Sequence, residues 1–405
     1  MRSSPAMRVL QLCSKPPWPP IDGGTKAMYN ITCGLLQAGH EVKVLSVSTR
    51  KHPLRVGKVP AEFREATRME GVFVDTSLNI VDAFTDLVTA DNYNVSRFFS
   101  PDMDIRLIQL LTQEQFDVVH LESLFTTPYL PTIRRCSKAK VVLRSHNLEH
   151  VVQERLARGE RNLLKKPYRM YLARQLRAYE EKVLGQVDGV VAITEQDARH
   201  MREQAGNTPV TTVPFTVDIA EYAAPLAKGP LTFFHLGSMD WLPNEEGIRW
   251  LLRAVWPRVL KERPEARLHL AGNRMPKDMV RAKLPGTRVT GRVADANRWM
   301  AERHVMLVPL FSAGGMRVKI IEGMAMGKCV LSTTVGAEGI RHTPGTDILL
   351  ADSAAEFTAR MVQLLQEPES AARIGNNARF LVAERHATAT AIRELCAFYE
   401  KLLCA

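Results

Sequence analysis

Short apolar, β-branched runs alternate with segments of helical period along almost the whole chain, and this alternation restricts the fold more than any other feature. Val9–Cys13 reads as a strand and is followed by a breaker cluster, Pro16-Pro17-Trp18-Pro19-Pro20-Ile21-Asp22-Gly23-Gly24. A helix should start near Thr25 and stop at Gly39, with Met28, Ile31, Leu35 and Leu36 on one face, and Glu41–Val47 supplies the next strand. Asp117–Leu121, Lys140–Ser145, Asp188–Thr194 and Val210–Val213 continue the series. After an Ala- and Pro-rich stretch, Thr216–Pro230, it restarts with Leu231–Leu236, Arg267–Ala271, Arg288–Thr290, Val305–Pro309, Cys329–Ser332 and Asp347–Leu350. Strands separated by helices form parallel sheets covered on both faces, so two doubly wound α/β halves are expected. The expected division is residues 1–218, residues 219–386 and a terminal helix over 387–405, whose Ile392, Leu395, Tyr399 and Leu402 share one stripe and should dock it on the first half.

Composition bounds the class. With 405 residues, 45% of them hydrophobic and 24% charged, the chain can build sizeable cores, which excludes a disordered protein or one small binding module. No apolar run reaches the roughly 18 residues of a membrane span, and Met1 to Ala6 is too short and polar for a signal peptide, so a cytoplasmic location is expected. The six cysteines, Cys13, Cys33, Cys136, Cys329, Cys396 and Cys404, lack zinc-site spacing and read as small buried apolar residues; no metal site is expected. Lys plus Arg number 54 against 43 Asp plus Glu, an excess of +11 that suits an acidic partner and equally suits an inert basic enzyme.

In parallel sheets ligands bind beyond the carboxyl ends of the strands, so the loops there carry the function. Neither first strand is followed by G-x-G-x-x-G, and no G-x-x-x-x-G-K-[ST] occurs, which weakens the dehydrogenase and ATPase readings. The richest loop is Phe311-Ser312-Ala313-Gly314-Gly315-Met316-Arg317-Val318-Lys319-Ile320-Ile321-Glu322-Gly323-Met324-Ala325-Met326-Gly327. Gly314 and Gly315 let a ligand approach backbone N–H groups, a helix opening near Met316 presents its positive end, and Arg317 and Lys319 add two cations: an anion site suited to a diphosphate. Glu322 sits among apolar residues and needs donors, which ribose hydroxyls would supply; an Arg or Lys partner is the plainer alternative.

This segment, followed by Thr333-Thr334-Val335-Gly336-Ala337-Glu338-Gly339, resembles the donor-binding segment of the family 4 glycosyltransferases. The opening Pro16–Gly24 loop is similar to that family's glycine-rich acceptor-side loop, with Gly23 and Gly24 as its glycines, and Pro214–Asp218 falls at its interdomain hinge. The resemblance implies the GT-B architecture, two Rossmann-like domains facing a central cleft, and transfer with retention of anomeric configuration. It implies that Glu322 binds the donor ribose, Arg317 and Lys319 the diphosphate, and Gly314, Gly315 and Met316 the transferred sugar, with Arg292 beside the base and Gly237 in the loop after the second domain's first strand. Two positions depart from the pattern. Gly314 stands where a glutamate eight residues before Glu322 is frequent, and the segment Gly237-Ser238-Met239-Asp240-Trp241-Leu242-Pro243-Asn244-Glu245-Glu246-Gly247 carries a W-x-P-N subgroup pattern in place of the usual basic residues. Asn244 there reads as a helix N-cap with Glu245 and Glu246 in the first turn, which moves the phosphate duty to Arg317 and Lys319.

In the first half, His120-Leu121-Glu122 and Arg144-Ser145-His146-Asn147-Leu148-Glu149 end adjacent strands, so both tips should face the cleft. Glu122 stands where relatives frequently place a His near the reacting sugar, His146 is the neighbouring candidate, and His146, Asn147 and Glu149 resemble an H-N-x-E signature. His146 is also readable as a structural histidine and Glu149 as a first-turn acid. His120, Asn147 and Glu149 are assigned to the acceptor side.

From Arg161 to Tyr179 there is no acid, while Arg161, Lys165, Lys166, Arg169, Arg174 and Arg177 are present; Leu172, Leu176 and Val183 mark the buried side of this helix. The stretch suits the anionic inner face of a plasma membrane, or is simply solvated charge; no nucleic-acid module accompanies it. The expectation is a glycosyltransferase moving a sugar from a nucleotide diphosphate donor to a hydroxyl of a glycan or lipid-linked acceptor in cell-surface polysaccharide synthesis, needing no cofactor. A sugar-nucleotide epimerase on the same plan, or a non-catalytic homologue that binds nucleotide sugar or anionic lipid, are the alternatives.

Overall fold

A computed structural model describes residues 5–76, 93–160, 162, 164–222, 227–281, 284–312 and 316–405. Gly314, Gly315 and Arg161 lie outside the described residues. The chain forms two compact units, Met1–Thr216 with Thr388–Ala405, and Val217–Ala387.

The first unit holds a parallel sheet of β1 (Arg8–Cys13), β2 (Glu41–Ser48), β3 (Glu70–Phe73), β4 (Val118–Glu122), β5 (Lys140–Ser145), β6 (Gly189–Ala192) and β7 (Val210–Thr212), in the order β3-β2-β1-β4-β5-β6-β7. Order reverses at β1, which pairs with β2 on one side and β4 on the other. Strand alternation divides the core: Leu10 and Leu12 face one apolar cluster, Val9 and Cys13 the other. The edge strand β3 is absent from the sequence reading because Glu70-Gly71-Val72-Phe73 has no buried apolar face.

The terminal helix Thr388–Cys404 belongs to the second of these clusters, through Ile392, Leu395, Tyr399 and Leu402. It packs on the helix Gly23–Gln37, where a Cβ added at Gly34 would stand 2.4 Å from Ile392 Cγ1. That first helix starts at a capping box, Asp22 accepting from Thr25 N–H at 2.9 Å while Thr25 Oγ1 accepts from Asp22 N–H at 3.0 Å.

The second unit holds β8 (Phe233–Leu236), β9 (Leu268–Ala271), β10 (Thr287–Gly291), β11 (Val305–Val308), β12 (Cys329–Ser332) and β13 (Leu349–Leu350), all parallel, in the order β10-β9-β8-β11-β12-β13. Phe233, Trp256, Leu268, Leu307 and Phe357 are among its core. Two doubly wound parallel-sheet units are therefore present, as the alternation requires. Buried Cys13, Cys329 and Cys396 behave as expected, whereas Cys33 and Cys136 are half-buried and Cys404 is exposed at the end of the last helix. Among the described residues no helix is long and apolar enough to cross a membrane.

Gly34→Ala should cost about 1–3 kcal/mol in urea unfolding, because the added methyl group must displace Ile392 in a filled core. An unchanged unfolding midpoint would show that the terminal helix is not seated on this face.

Candidate functional site

Polar groups gather at the carboxyl ends of the strands in both units. In the second unit, Gly237 follows the end of β8, and the helix Leu242–Trp250 begins just beyond it. Asn244 is not the N-cap. Trp241 holds that position, and Pro243 in the first turn draws Asn244 inside the helix, where it is 4% exposed. Its amide donates to Ser238 O at 2.9 Å and accepts from Lys319 Nζ at 2.7 Å. The approach needs Gly237, since a Cβ there would meet Asn244 Nδ2 at 2.7 Å and His235 Nε2 at 2.8 Å.

Lys319 stands in the first turn of the helix Val318–Ala325, whose N-cap is Arg317. Burial, and then the neighbouring Arg317, lower the Lys319 ammonium to about 7. Among the described residues its only hydrogen-bond partner is the neutral Asn244 amide. The Arg317 guanidinium lies 5.1 Å from the centre of the Trp241 ring. His235, fully buried, has Nδ1 2.8 Å from Leu307 O, so that nitrogen carries the proton and donates; burial and Lys319 hold the ring neutral. Its Nε2 lone pair is left buried without a hydrogen bond, beside the space that Gly237 keeps open.

Further along the same helix, Glu322 is 7% exposed and accepts from Tyr222 Oη at 3.1 Å. Burial and this carboxylate push the Tyr222 phenol up. Tyr222 gave no sequence signal, since it lies within an irregular Ala- and Pro-rich stretch. Met316 is half-buried just before the helix, and Arg292 is exposed after Gly291, whose φ of +74° turns the chain at the end of β10. Lys319, Arg317, Asn244 and Gly237 are thus brought together.

In the first unit the structure corrects two assignments. Glu122 and His120 do not face solvent: both are 0% exposed, because β4 is a central strand covered on both sides. Glu122 accepts from Gln11 Nε2 at 2.9 Å and His146 Nε2 at 2.7 Å, and lies 3.3 Å from both His120 Nε2 and Arg144 Nη1. Burial alone would raise its pKa, but Arg144 and His120 outweigh it and hold the carboxyl well below the usual range. His120 in turn bonds Tyr399 Oη, from the terminal helix.

His146 is the member of this network that reaches the surface, with its side chain 12% exposed. Burial lowers its pKa more than Glu122 raises it, so the ring is neutral near pH 7. With Nε2–H donating to an ionised carboxylate, Nδ1 carries the lone pair and can accept from a ligand hydroxyl. Glu122 therefore orients the His146 ring and is itself closed off from solvent. Gln11 and Arg144, which complete the cage, carry no sequence signal for it because their partner lies on another strand, and Tyr399 reads in sequence only as part of the apolar stripe of the terminal helix.

Asn147 donates to Glu149 at 3.3 Å, and Glu149 opens the helix Glu149–Gly159. Burial, with Glu180 adding to it, raises the Glu149 carboxyl to about 7. Glu180, from the helix Lys165–Leu184, caps this helix by accepting Glu149 N–H and His150 N–H, each at 3.2 Å. Gly23 and Gly24 open the first helix, and a Cβ at Gly24 would stand 2.9 Å from Lys15 Nζ, which pairs with Asp22 at 2.7 Å.

Glu122→Gln should destabilise the protein by about 3 kcal/mol or more, since it strands the buried Arg144 charge. The pH profile supplies the sign. A carboxyl depressed on folding contributes stability above its unfolded value near 4.5 and loses it as pH falls towards the folded value, so the variant should lack this part of acid unfolding.

The family model described as Glycosyltransferase Family 4 matches residues 21–221, and the one described as Glycosyl transferases group 1 matches residues 230–367. A protein from the cps region of Klebsiella pneumoniae, an uncharacterized 44.6 kDa chain, is 21% identical over 290 residues, covering 69% of this chain and 74% of that one. Sucrose-phosphate synthase of Thermosynechococcus elongatus superposes with a TM-score of 0.70 at 14% identity, over 98% of this chain and 99% of that one. A glycosyltransferase of Rickettsia africae gives 0.68 at 15% identity over 99% of each chain. HepE of Anabaena, solved with UDP and glucose, gives 0.64 at 13% identity over 97% and 99%. With both units matched in this way, the chain belongs to the family 4 glycosyltransferases and is a transferase of GT-B fold.

Proposed function

We propose that the protein transfers a sugar from a nucleoside diphosphate sugar to a hydroxyl of a glycan or lipid-linked acceptor, with retention, in the synthesis of a cell-surface polysaccharide. One observation carries the donor half of this reading: the Lys319 ammonium is partly buried beside Arg317 with only a neutral amide as its hydrogen-bond partner among the described residues. A buried cation without counter-charge is costly, and a diphosphate removes that cost. UDP sugars are the first donors to test, because HepE of Anabaena is solved with UDP and glucose, and the cps-region relative favours a polysaccharide product.

As the sugar–phosphate bond breaks, negative charge grows on the leaving diphosphate. Lys319, Arg317 and the N–H groups at the start of the Val318–Ala325 helix stabilise that charge, contributing about 3–4 kcal/mol for a preorganised donor. The protein supplies the charge that a divalent metal would otherwise bring, so transfer should persist in EDTA. Glu322 and Tyr222 receive the ribose, with Arg292 beside the base. In the first unit His146 Nδ1 accepts from a substrate hydroxyl, and Glu122 holds the ring in that tautomer.

The test joins binding to protonation. Lys319 is depressed from 10.5 to about 7, so between those values the unfolded chain holds a proton that the folded chain lacks, and stability from this group rises with pH across the window. Donor binding should restore the proton. Calorimetric titration of UDP at pH 8, in two buffers of different ionisation enthalpy, should therefore show proton uptake, with affinity falling as pH rises above about 7. Lys319→Arg should abolish the uptake; full affinity in Lys319→Ala would overturn the phosphate role. The anomeric configuration of the product, read by NMR, decides retention.

The Lys165–Leu184 helix exposes Tyr168 and Tyr171 beside Lys165, Arg169 and Arg174, while Leu176 and Val183 are buried and Leu172 partly so. Arg169 and Arg177 are paired, with Glu160 at 3.1 Å and Glu181 at 2.8 Å. This face is read as a site for the inner surface of an anionic membrane. Sedimentation with vesicles containing phosphatidylglycerol should exceed that with pure phosphatidylcholine, and equal sedimentation would remove the reading.

A further inference from the structure

The loops that follow β1 and β2 enclose a cavity of about 450 Å3 that the reading above leaves without a ligand. The two strands are neighbours, so their loops leave the same sheet edge side by side, beyond the carboxyl ends where ligands of such sheets bind. One wall is apolar, formed by Trp18, Pro19 and Ile21, the last 72% exposed. The indole is held in place: Nε1 donates to Lys58 O at 3.0 Å, and the ring centre lies 5.5 Å from that of Tyr29, itself 5.2 Å from Phe63.

The loop after β2 brings three cations to the same cavity, Lys51, Arg55 and Lys58, all exposed. Among the described residues none of them is paired with a carboxylate, and the acid nearest the loop after β1, Asp22, is already engaged by Lys15 Nζ at 2.7 and 2.9 Å and by Thr25 N–H at 2.9 Å. Lys15 lies within electrostatic range of His52, which lines the cavity, and of His146, and it disfavours protonation of both. The cavity and the exposed edge of His146 therefore flank the same lysine.

A fixed aromatic wall facing three cations is complementary to a ligand that carries a ring or alkyl face beside more than one negative charge. A carboxylate would answer one of these cations, whereas a phosphate monoester or diphosphate answers two or three. We propose that this cavity binds the phosphate-bearing end of the acceptor, with Lys51, Arg55 and Lys58 on the phosphate oxygens and the adjoining lipid or sugar against Trp18. The proposal rests on the reading of this unit as the acceptor side and adds to it the acceptor's chemical class. Charge set at the rim also makes capture salt-dependent, since exposed cations act through a Debye length of about 10 Å at 0.1 M salt.

The experiment is calorimetric titration of the full chain at low salt with geranyl phosphate and, separately, with glucose 6-phosphate. At least one should bind, and the Arg55→Ala/Lys58→Ala chain should bind it about tenfold or more weakly, as loss of charged hydrogen bonds predicts. Trp18→Ala should weaken the same ligand. Binding of geranyl phosphate alone identifies a lipid phosphate, and binding of glucose 6-phosphate alone a phosphorylated glycan; either supports the proposal. Binding of neither, or equal binding by the unchanged and the Arg55→Ala/Lys58→Ala chains, overturns it. UDP titrated into the same chains keeps the two readings apart. The rim substitutions should leave UDP affinity unchanged, whereas an unchanged chain that binds geranyl phosphate but no UDP would overturn the donor reading and leave this one standing.

Discussion

Every strand paired in either sheet runs parallel to its neighbours, and this constraint sets where chemistry can occur. A parallel sheet needs crossover helices on its faces, so its strands are buried on both sides and must be apolar along their length. Charged groups within it are paired with an opposite charge, as Arg144 is with Glu122. Polar groups that are to meet a ligand are driven to the carboxyl ends, where the chain leaves the ladder and backbone N–H groups become available. Lys319, Asn244 and Gly237 in one unit, and His146 and the Trp18 wall in the other, occupy such ends.

Two buried charges show how partners decide the role of a group. Glu122 is enclosed by Gln11, Arg144, His120 and His146, so its charge is satisfied before any ligand arrives. That makes it a structural carboxylate, and its effect on chemistry passes through the orientation of His146. Lys319 has the opposite surroundings, since it is partly buried beside another cation and answered by an amide. Its lowered proton affinity follows from that burial and from the neighbouring Arg317. The same contrast separates Asp22, engaged by Lys15 and a helix cap, from Lys51, Arg55 and Lys58 at the rim beside it.

Much of the fold was legible because hydrophobic period is a local property. Val9–Cys13, Lys140–Ser145 and Cys329–Ser332 each contain more apolar burial than a loop could hide, and each is a strand. β3 was not legible, because an edge strand buries little and Gly71 interrupts its pattern. The donor segment announced Lys319 and Glu322 through glycines, cations and an acid among apolar residues. Their partners, Asn244 and Tyr222, come from 75 and 100 residues away and carried either a misleading cap signal or none.

By itself the sequence determined the alternation of strands and helices, the division into two doubly wound halves, the docked terminal helix and the residue types placed after each strand. These follow from side-chain polarity and period, which act over a few residues. Only the tertiary structure decided which polar residues are buried and by what they are answered. Glu122 became an inward carboxylate and Asn244 a ligand of Lys319, because desolvation and hydrogen bonding depend on groups that the chain brings together from distant positions.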